Sequence, residues 1–211
     1  MQTLSQIISQ MVREKRLDIR EPNPMSWGNH EQCRRVFVTI FCEVDTTFDN
    51  YQHLPEYDEV IDWMTDTKDQ GLLLMGDCGR GKSIIISGVI PVLLRLKNRW
   101  IRVVHSQELT KPTPSAQVYY YGQRPETNLD YLLKTPFSII DELGVESLVN
   151  DYGEKSEGFN LIMNAAERYH RPIFATTNLT KKELLERYGE RTLDRLGHLC
   201  RIVEFKGESL R

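Results

Sequence analysis

Residues 76–83 have the types and spacing needed to bind the phosphates of a nucleotide. They read GDCGRGKS, which satisfies the pattern G-x-x-x-x-G-K-[ST]. Glycines let backbone N–H groups converge on phosphate oxygens, Lys82 would reach the β- and γ-phosphates, and the Ser83 hydroxyl would bind Mg²⁺. The alternative is a glycine-rich turn that binds nothing. We predict a site for ATP and Mg²⁺ with these cofactor-binding residues: Gly76, Asp77, Cys78, Gly79, Arg80, Gly81, Lys82 and Ser83.

Two carboxylates follow a later apolar run. Residues 136–142 read PFSIIDE and end in Asp141 and Glu142. An NTPase places acids in this way at the carboxyl edge of its sheet, so we predict that Asp141 binds Mg²⁺ and that Glu142 orients the attacking water. A run ending in Asp-Glu is common by itself. Its position 59 residues after Lys82, with a strand and helices between, favours reading the two motifs as a pair.

The elements that must position these residues alternate between apolar runs and helical stripes. Short apolar runs without polar alternation are typical of parallel strands covered on both faces. Strands are predicted at residues 72–75, 101–105, 136–142, 172–178 and 200–205, and helices from the phosphate loop to about 98 and near 157–169, 181–187 and 191–196. The pattern predicts an α/β P-loop NTPase with a parallel sheet flanked by helices.

The N-terminal part of the chain reads differently. Residues 1–17 carry apolar residues at helical spacing and precede a linker with Pro22 and Pro24, and residues 30–44 carry a second helical stripe. We predict that residues 1–45 form a helical partner-docking segment and residues 46–211 the ATPase domain. The first helix could instead pack on its own domain.

Composition limits the other classes of function. The 211 residues are 40% hydrophobic and 27% charged with a net charge of −3, so no strongly basic tail would bind nucleic acid. No signal peptide or membrane span is apparent, which predicts a cytoplasmic protein. Single-stranded DNA could be held weakly through a local patch such as residues 111–124 (KPTPSAQVYYYGQR). The alternative is a surface connection whose tyrosines pack on the core.

Six segments together resemble the DnaC/IstB branch of AAA+ ATPases, which are helicase loaders and transposition helper ATPases. The segments are TTFDNY (46–51), GDCGRGKS (76–83), IIDELG (139–144), ATTNL (175–179), YGERTLDRL (188–196) and ESLR (208–211). They occur in order and span the chain from Thr46 to Arg211. The resemblance implies an AAA+-type ATPase without the helical lid that many AAA+ proteins carry.

The resemblance also implies roles for single residues. Tyr51 would border the adenine, and Asn178 would sense the γ-phosphate, although Asn178 could simply cap a turn. Arg195 resembles the arginine finger that is offered to a neighbouring subunit, and Arg191 would be its companion. Hydrolysis would then depend on self-assembly upon ATP binding. The alternative for both arginines is an (i, i+4) surface pair with Glu190 or Asp194.

From these motifs we expect an ATP-hydrolysing, DnaC-like protein that loads a replicative helicase onto DNA. One alternative is an IstB-like helper ATPase whose partner is a transposase. Another is a binding module that ATP switches on and off with little turnover. A small-molecule kinase fits poorly, because the Asp-Glu pair and the segment RTLDRL would then have no role.

Overall fold

The computed structural model describes residues 3–14, 23–46, 51–114, 126–147, 149–151, 154–156 and 158–210. Several predicted features therefore lie wholly or partly outside the described residues. They include residues 1–2 and 15–17 of the first predicted helix, the linker at Pro22, residues 48–50 of the segment FDNY, and residues 115–124 of the predicted DNA patch with its tyrosines at 119–121. Arg211, the last residue of ESLR, also lies outside them.

A five-stranded sheet forms the centre of the fold. The strands of the chain are β1 (Gly71–Gly76), β2 (Val103–His105), β3 (Ser138–Leu143), β4 (Val149–Asp151), β5 (Glu154–Ser156), β6 (Ile173–Thr177) and β7 (Cys200–Phe205). The sheet has the order β2-β3-β6-β1-β7 with every neighbouring pair parallel, and β4 and β5 form a separate antiparallel pair. Leu72, Leu73 and Leu74 are completely buried, which explains why β1 lacks polar alternation.

Helices cover both faces of this sheet. The α-helices of the described residues are α1 (Leu4–Arg13), α2 (His30–Val44), α3 (Pro55–Thr65), α4 (Lys82–Ile84), α5 (Ile90–Leu96), α6 (Asn128–Lys134), α7 (Gly158–Tyr169), α8 (Lys181–Tyr188) and α9 (Glu190–Leu199). One face packs against α2, α3 and α5, and the other against α6 to α9. The predicted α/β fold, with a parallel sheet flanked by helices, is confirmed.

The helix after the phosphate loop is interrupted by a wider turn. Between α4 and α5, residues Ile85–Val89 form a π-helix in which the Ile90 N–H donates to the Ile85 carbonyl. Pro91 has no N–H, and its ring would clash with the carbonyl four residues earlier in a regular α-helix, so the local widening relieves that clash. The helix predicted to reach residue 98 ends at Leu96.

The second helix packs within the core beside the central sheet, although it lies in the predicted segment 1–45. Cys33 and Phe37 of α2 are completely buried, and Phe37 and Phe41 both contact the ring of Tyr57 in α3. A Cβ at Gly88 would lie 2.7 Å from a methyl of Val44, so glycine allows the close approach of α2. In contrast, α1 buries no residue. The docking role of residues 1–45 stays a prediction.

Some elements differ from the sequence-based prediction. The strand predicted at 101–105 is shortened to β2, and α6 and the β4–β5 pair are additional elements. A reciprocal cap between Thr127 and Asp130 begins α6, a local signal that an apolar-stripe search overlooks in a helix of seven residues. No helix in the described stretches combines the length and apolar character that a membrane crossing requires.

Candidate active site

The strand order brings the predicted polar residues to one edge of the sheet. Strand β6 lies between β1 and β3, and all three run in the same direction. The phosphate loop after β1, Asn178 after β6 and Asp141 near the end of β3 therefore share the carboxyl edge. His105, the last residue of β2, pairs in register with Asp141. Ligands of open α/β sheets bind at this edge.

The phosphate loop has a backbone that favours glycine at Gly76, Gly79 and Gly81, which all have positive φ angles. Gly79 and Gly81 have φ angles of +81° and +84°. A Cβ at Gly79 would lie 2.0 Å from Ser209 Oγ, and a Cβ at Gly81 would lie 2.5 Å from Tyr57 Oη. Asp77 and Cys78 are exposed at the bend of the loop. The loop thus keeps the open backbone cradle that phosphate oxygens require.

Lys82 lies under this loop with its ammonium group directed back at it. The side chain is buried, and Nζ donates a hydrogen bond of 2.6 Å to the Asp77 carbonyl. Burial lowers the pKa of Lys82 from its ordinary value, and the nearby Cys78, Asp77, Asp141 and Glu142 partly oppose this shift. A buried cation with one backbone acceptor is well placed to pair with incoming phosphates.

The Asp141 carboxylate lies within hydrogen-bonding distance of hydroxyl groups from three elements. Asp141 Oδ1 accepts hydrogen bonds from Ser83 Oγ at 3.2 Å and from Thr176 Oγ1 at 2.5 Å, and Ser87 Oγ lies 3.4 Å from Oδ2. Neighbouring ligands of an octahedral Mg²⁺ are ~2.9 Å apart, given bonds of about 2.1 Å. The oxygens of Ser83 and Asp141 therefore fit two adjacent positions on that ion, as predicted from the two motifs.

No other metal site is apparent among the residues that the structure describes. Within them, no group of three or more His, Cys, Asp and Glu side chains is arranged to hold a metal ion. Mg²⁺ commonly uses only one or two protein oxygens and completes its shell with water and phosphate oxygens. The pair of Ser83 and Asp141 is thus sufficient for a nucleotide-bound Mg²⁺.

Glu142 lies in an irregular part of β3. The register with β6 shifts between Ile140 and Leu143, and Glu142 has a φ angle of +64°. Its N–H donates to Thr176 Oγ1 at 2.8 Å, and its carbonyl accepts from Ser106 Oγ at 2.5 Å. Such bonds hold an unfavourable backbone in place. Because of the bulge, the Glu142 side chain points in a different direction from the one it would take in a regular strand.

The carboxylate of Glu142 is bound by a histidine. His105 Nε2 lies 2.7 Å from Glu142 Oε2, with both side chains partly exposed. An ionised carboxylate only accepts hydrogen bonds, so Nε2 donates in this pair. One oxygen of the carboxylate predicted to orient water is thus bonded to an imidazole in the isolated chain.

Sequence reasoning missed four side chains that support the two acids. They are Ser87, His105, Ser106 and Thr176. Three of them stand at or just after the carboxyl end of a strand that the sequence predicts. A search of those strand ends for hydroxyl and imidazole groups would have found them, since parallel strands bring their ends together.

A pocket beside the phosphate loop has the character of a base-binding site. It has a volume of about 250 Å³, and its wall includes Phe41, Tyr51, Tyr57, Ile84 and Leu210, with Asp45 and Gln52 as polar groups. Tyr51 packs edge-on against Phe41, and its hydroxyl lies 2.7 Å from His53 Nδ1. Burial raises the pKa of Tyr51 to about 12. Tyr51 thus lies in a pocket next to the phosphate loop, and its contact with adenine stays a prediction.

Arg80 differs from the expectation for a phosphate-binding residue. Its guanidinium is buried and bonds to Glu56 Oε1 at 2.8 Å and to the Glu208 carbonyl at 3.1 Å. The side chain therefore points away from the phosphate cradle, and only its backbone remains in the loop. The Leu210 N–H donates to the Gly79 carbonyl at 3.0 Å. Together these bonds fix residues 206–210 against the loop, so that Leu210 closes the base pocket.

The two candidate arginines occupy different environments. Arg195 is buried, and its guanidinium bonds to Asn164 and Glu167 of α7, so the alternative of a surface pair with Glu190 or Asp194 is wrong. Arg191 is exposed one turn earlier on α9. Asn178 is exposed at the end of β6, between the phosphate loop and the acid pair.

Comparison with known proteins gives matches at the level of structure. No protein-family model matches the sequence, and no curated protein matches it. The crystal structure of DnaI superposes with a TM-score of 0.56 at 20% identity, covering 82% of this chain and 94% of that one. The crystal structure of the DnaC helicase loader gives a TM-score of 0.52 at 18% identity, covering 90% and 95%. The chain therefore has the P-loop fold that DnaC and DnaI share, as its sequence motifs predict.

Proposed function

We propose that this chain is a Mg²⁺-dependent ATPase of the DnaC-like kind that loads a replicative helicase onto DNA in the cytoplasm. Its main support is the bonded set of Ser83, Asp141 and Thr176 beside an intact phosphate loop. That set lies in a chain whose fold matches the DnaC helicase loader over 90% of its length.

Each residue of the site has its own role in phosphoryl transfer. Lys82 and the loop N–H groups bind the phosphates, Ser83 and Asp141 bind the ion, and Glu142 holds the attacking water. Mg²⁺, when bound, neutralises charge that develops on the phosphate oxygens. Asn178 is positioned at the end of β6 to contact the terminal phosphate or the water. Tyr51 and Leu210 enclose the base.

The isolated chain is expected to hydrolyse ATP slowly. One oxygen of its Glu142 carboxylate, Oε2, is bonded to His105, and this bond competes with the water that the group would orient. We propose that fast hydrolysis also needs a cation from a second copy of the chain, which would stabilise the terminal phosphate. Arg191 is exposed on α9 and could serve directly, whereas Arg195 would first have to leave Asn164 and Glu167.

The helix α1 is the proposed docking element for the helicase. It exposes Leu4, Ile7, Met11 and Val12, with Leu4 74% exposed. The reciprocal cap formed by Thr3 and Gln6 starts the helix without help from the core. An exposed apolar stripe on a preformed helix is typical of helix-in-groove recognition.

A loading assay tests the proposal. Helicase capture is measured by pull-down, and transfer to DNA by the release of an oligonucleotide annealed to circular single-stranded DNA, each with and without ATP. We expect wild type to do both, and removal of residues 1–17 or the double change Leu4→Ser and Met11→Ser to abolish capture. Ser5→Ala with Ser9→Ala, on the same helix, is the matched control, and thermal unfolding confirms that each variant is folded.

The same experiment separates the alternatives. Capture of a transposase in place of the helicase would favour the transposition helper. Normal capture with ATP bound but not hydrolysed, even in the assembled complex, would favour the ATP-switched binding module. Loss of folding on removal of residues 1–17 would show that α1 belongs to the core.

A further inference from the structure

Three hydrogen-bonded side chains, which we call the Tyr51 relay, lie in a row beside the base pocket. Tyr51 is part of the pocket wall, and its Oη lies 2.7 Å from His53 Nδ1. His53 Nε2 lies in turn 2.8 Å from Asp58 Oδ1. We propose that His53 and Asp58 orient the Tyr51 hydroxyl so that the pocket selects a 6-amino purine over a 6-keto purine. This role deepens the proposed function and rests on it, since it needs a nucleotide in the pocket.

The direction of each hydrogen bond in the relay follows from Asp58. An ionised carboxylate only accepts hydrogen bonds, so His53 Nε2 donates to it. A neutral imidazole has one donor and one acceptor, so Nδ1 is the acceptor and the Tyr51 hydroxyl donates to it. The single proton of that hydroxyl is thereby used, and its lone pairs remain. Tyr51 can then accept a hydrogen bond from a ligand but cannot donate one.

The relay is held in a fixed position relative to the phosphate loop. The His53 ring packs edge-on against the ring of Tyr57, with centroids 5.9 Å apart and an interplanar angle of 88°. The Tyr57 hydroxyl donates to the Arg80 carbonyl of the loop at 3.3 Å. Burial raises the pKa of Tyr51 to about 12, so its hydroxyl keeps its proton at neutral pH. The acceptor therefore has a defined place beside the phosphate cradle.

A second polar group of the pocket has the same preference. Asp45 lines the pocket and is 8% exposed, and its ionised carboxylate also only accepts hydrogen bonds. The Gln52 amide can donate or accept, so it does not discriminate. An exocyclic amino group on the base can donate to the two acceptors. A keto oxygen in the same place would meet lone pairs and lose its hydrogen bonds to water, which costs affinity.

A purely structural role of the relay predicts a different result. His53 precedes α3 and Asp58 lies in its first turn, so the pair could simply fasten the start of that helix. Loss of such a contact would weaken the binding of every nucleotide alike. Loss of an oriented hydroxyl changes the ratio of affinities between amino and keto nucleotides. That ratio is therefore the quantity to measure.

The test compares ATP with inosine triphosphate, which carries a keto group in place of the 6-amino group. Calorimetry gives the dissociation constants of both Mg²⁺ complexes with the full chain, at about pH 8, where ordinary imidazoles are neutral. We expect wild type to bind ATP about tenfold more tightly than inosine triphosphate. Tyr51→Phe, which keeps the ring and removes the hydroxyl, should lose most of this preference.

Charge reversal at the far end of the relay gives the sharpest variant. Asp58 is 48% exposed, so a lysine fits there without entering the core. A lysine only donates, so His53 Nε2 would become the acceptor and Nδ1–H would donate to Tyr51. The Tyr51 proton would then be directed at the ligand, and the preference for ATP should fall at least about fivefold. Glu59→Lys, the same charge change at the next, exposed residue, is the matched control and should keep the wild-type ratio.

The tautomer of His53 can be observed without nucleotide. Nitrogen-15 NMR of the histidine side chains should show His53 protonated at Nε2 in wild type and at Nδ1 in Asp58→Lys. Glu59→Lys should give the wild-type spectrum for His53.

Three results would overturn the assignment. They are a ratio that Tyr51→Phe does not change, an equal loss of the ratio in Asp58→Lys and Glu59→Lys, and a His53 that is protonated at Nδ1 in wild type. A chain that binds neither nucleotide would refute the proposed function as well. Absence of hydrolysis or of helicase capture, together with the expected ratio, would refute the proposed function alone.

Discussion

The two edges of the central sheet bear different kinds of polar chemistry. At the carboxyl edge, side chains are bonded to one another: Asp141 accepts from Ser83 and Thr176, and Glu142 binds His105. At the amino edge, cations lie over rings, as Arg99 does over Phe137, and the groups contact one another pairwise.

This difference has a consequence for function. Groups in one bonded network are coupled, so the loss of one displaces the others and the effect is large. Cation–ring pairs spread over separate loops act more independently and are weakened by salt. We therefore expect large, salt-insensitive defects at the carboxyl edge and smaller, graded, salt-sensitive defects at the amino edge.

The largest effect is expected for Arg191, which we propose acts across an interface between two copies of the chain. Arg191→Ala should leave folding and ATP affinity intact and reduce turnover by about 10³, since Arg191 is exposed. Arg195→Ala should also lower stability, by about 2 kcal/mol, because its bonds to Asn164 and Glu167 are lost. Phosphate release at increasing protein concentration and thermal unfolding measure the two effects.

Mixing experiments sharpen this prediction. Arg191→Ala mixed with Lys82→Ala should recover some activity, because each supplies the half of the interface that the other lacks. Turnover that does not rise with protein concentration, and no recovery on mixing, would leave both arginines with roles inside their own chain.

A somewhat smaller effect is expected for Lys82. Lys82→Ala should weaken ATP binding by about 3 kcal/mol, or about 10²-fold, because a buried charge on the phosphates is lost. Calorimetry measures the affinity, with the exposed Lys182→Ala as control. An unchanged dissociation constant would show that the loop backbone alone holds the phosphates.

The same residue predicts a dependence on pH. Burial lowers the pKa of Lys82, so in the free chain its charge is lost at a lower pH than for an ordinary lysine. ATP affinity should therefore fall as the pH rises through that lowered value, while Lys82→Arg, which stays charged, should keep its affinity. Parallel titrations of the two proteins would reveal any difference.

The smallest effect at the carboxyl edge is expected for Leu210. Leu210→Ala removes part of the base pocket, which should weaken ATP binding by about 1 kcal/mol, or about fivefold. Inorganic triphosphate has no base, so its affinity should not change. Glu208→Ala is the control, since only the backbone carbonyl of Glu208 bonds to Arg80. An equal loss for both ligands would indicate a disturbed loop instead.

The carboxyl edge was predictable because its key residues fall into two short motifs, each of which can be recognised locally. Residues 76–83 predict the phosphate site without reference to other segments, and Asp141 and Glu142 end a clear apolar run. The strand order then places them together, as parallel topology requires. Local motifs of this kind can be recognised in a sequence because each residue type has one role at one spacing.

Other features depend on contacts that the sequence does not display. Strand pairing brings His105 next to Glu142 and Thr176 next to Asp141. Arg80 bonds to Glu56, which is 24 residues earlier in the chain. Arg195 looks like a surface residue next to Glu190 and Asp194, yet the packing of α9 on α7 buries it. Such outcomes follow from tertiary packing, which local spacing does not specify.

The cleft at the opposite, amino edge of the sheet shows the same limit more strongly. Arg99, Lys134 and Arg171 line it from three separate segments of the chain, none of which forms a motif. The net charge of −3 gives no sign of a basic surface, because the cations are concentrated by the fold and not by the sequence.

The most direct test of the nucleotide-controlled loader is Glu142→Gln. Single-turnover hydrolysis of MgATP is measured together with ATP affinity and with the lifetime of the helicase complex. We predict normal affinity, turnover reduced by about 10³, and a helicase complex that persists, because Asp141 still holds the ion while the water is no longer oriented. Glu108→Gln, an exposed glutamate near β2, should behave as wild type. Unchanged hydrolysis by Glu142→Gln would contradict the account and assign the catalytic role to another residue.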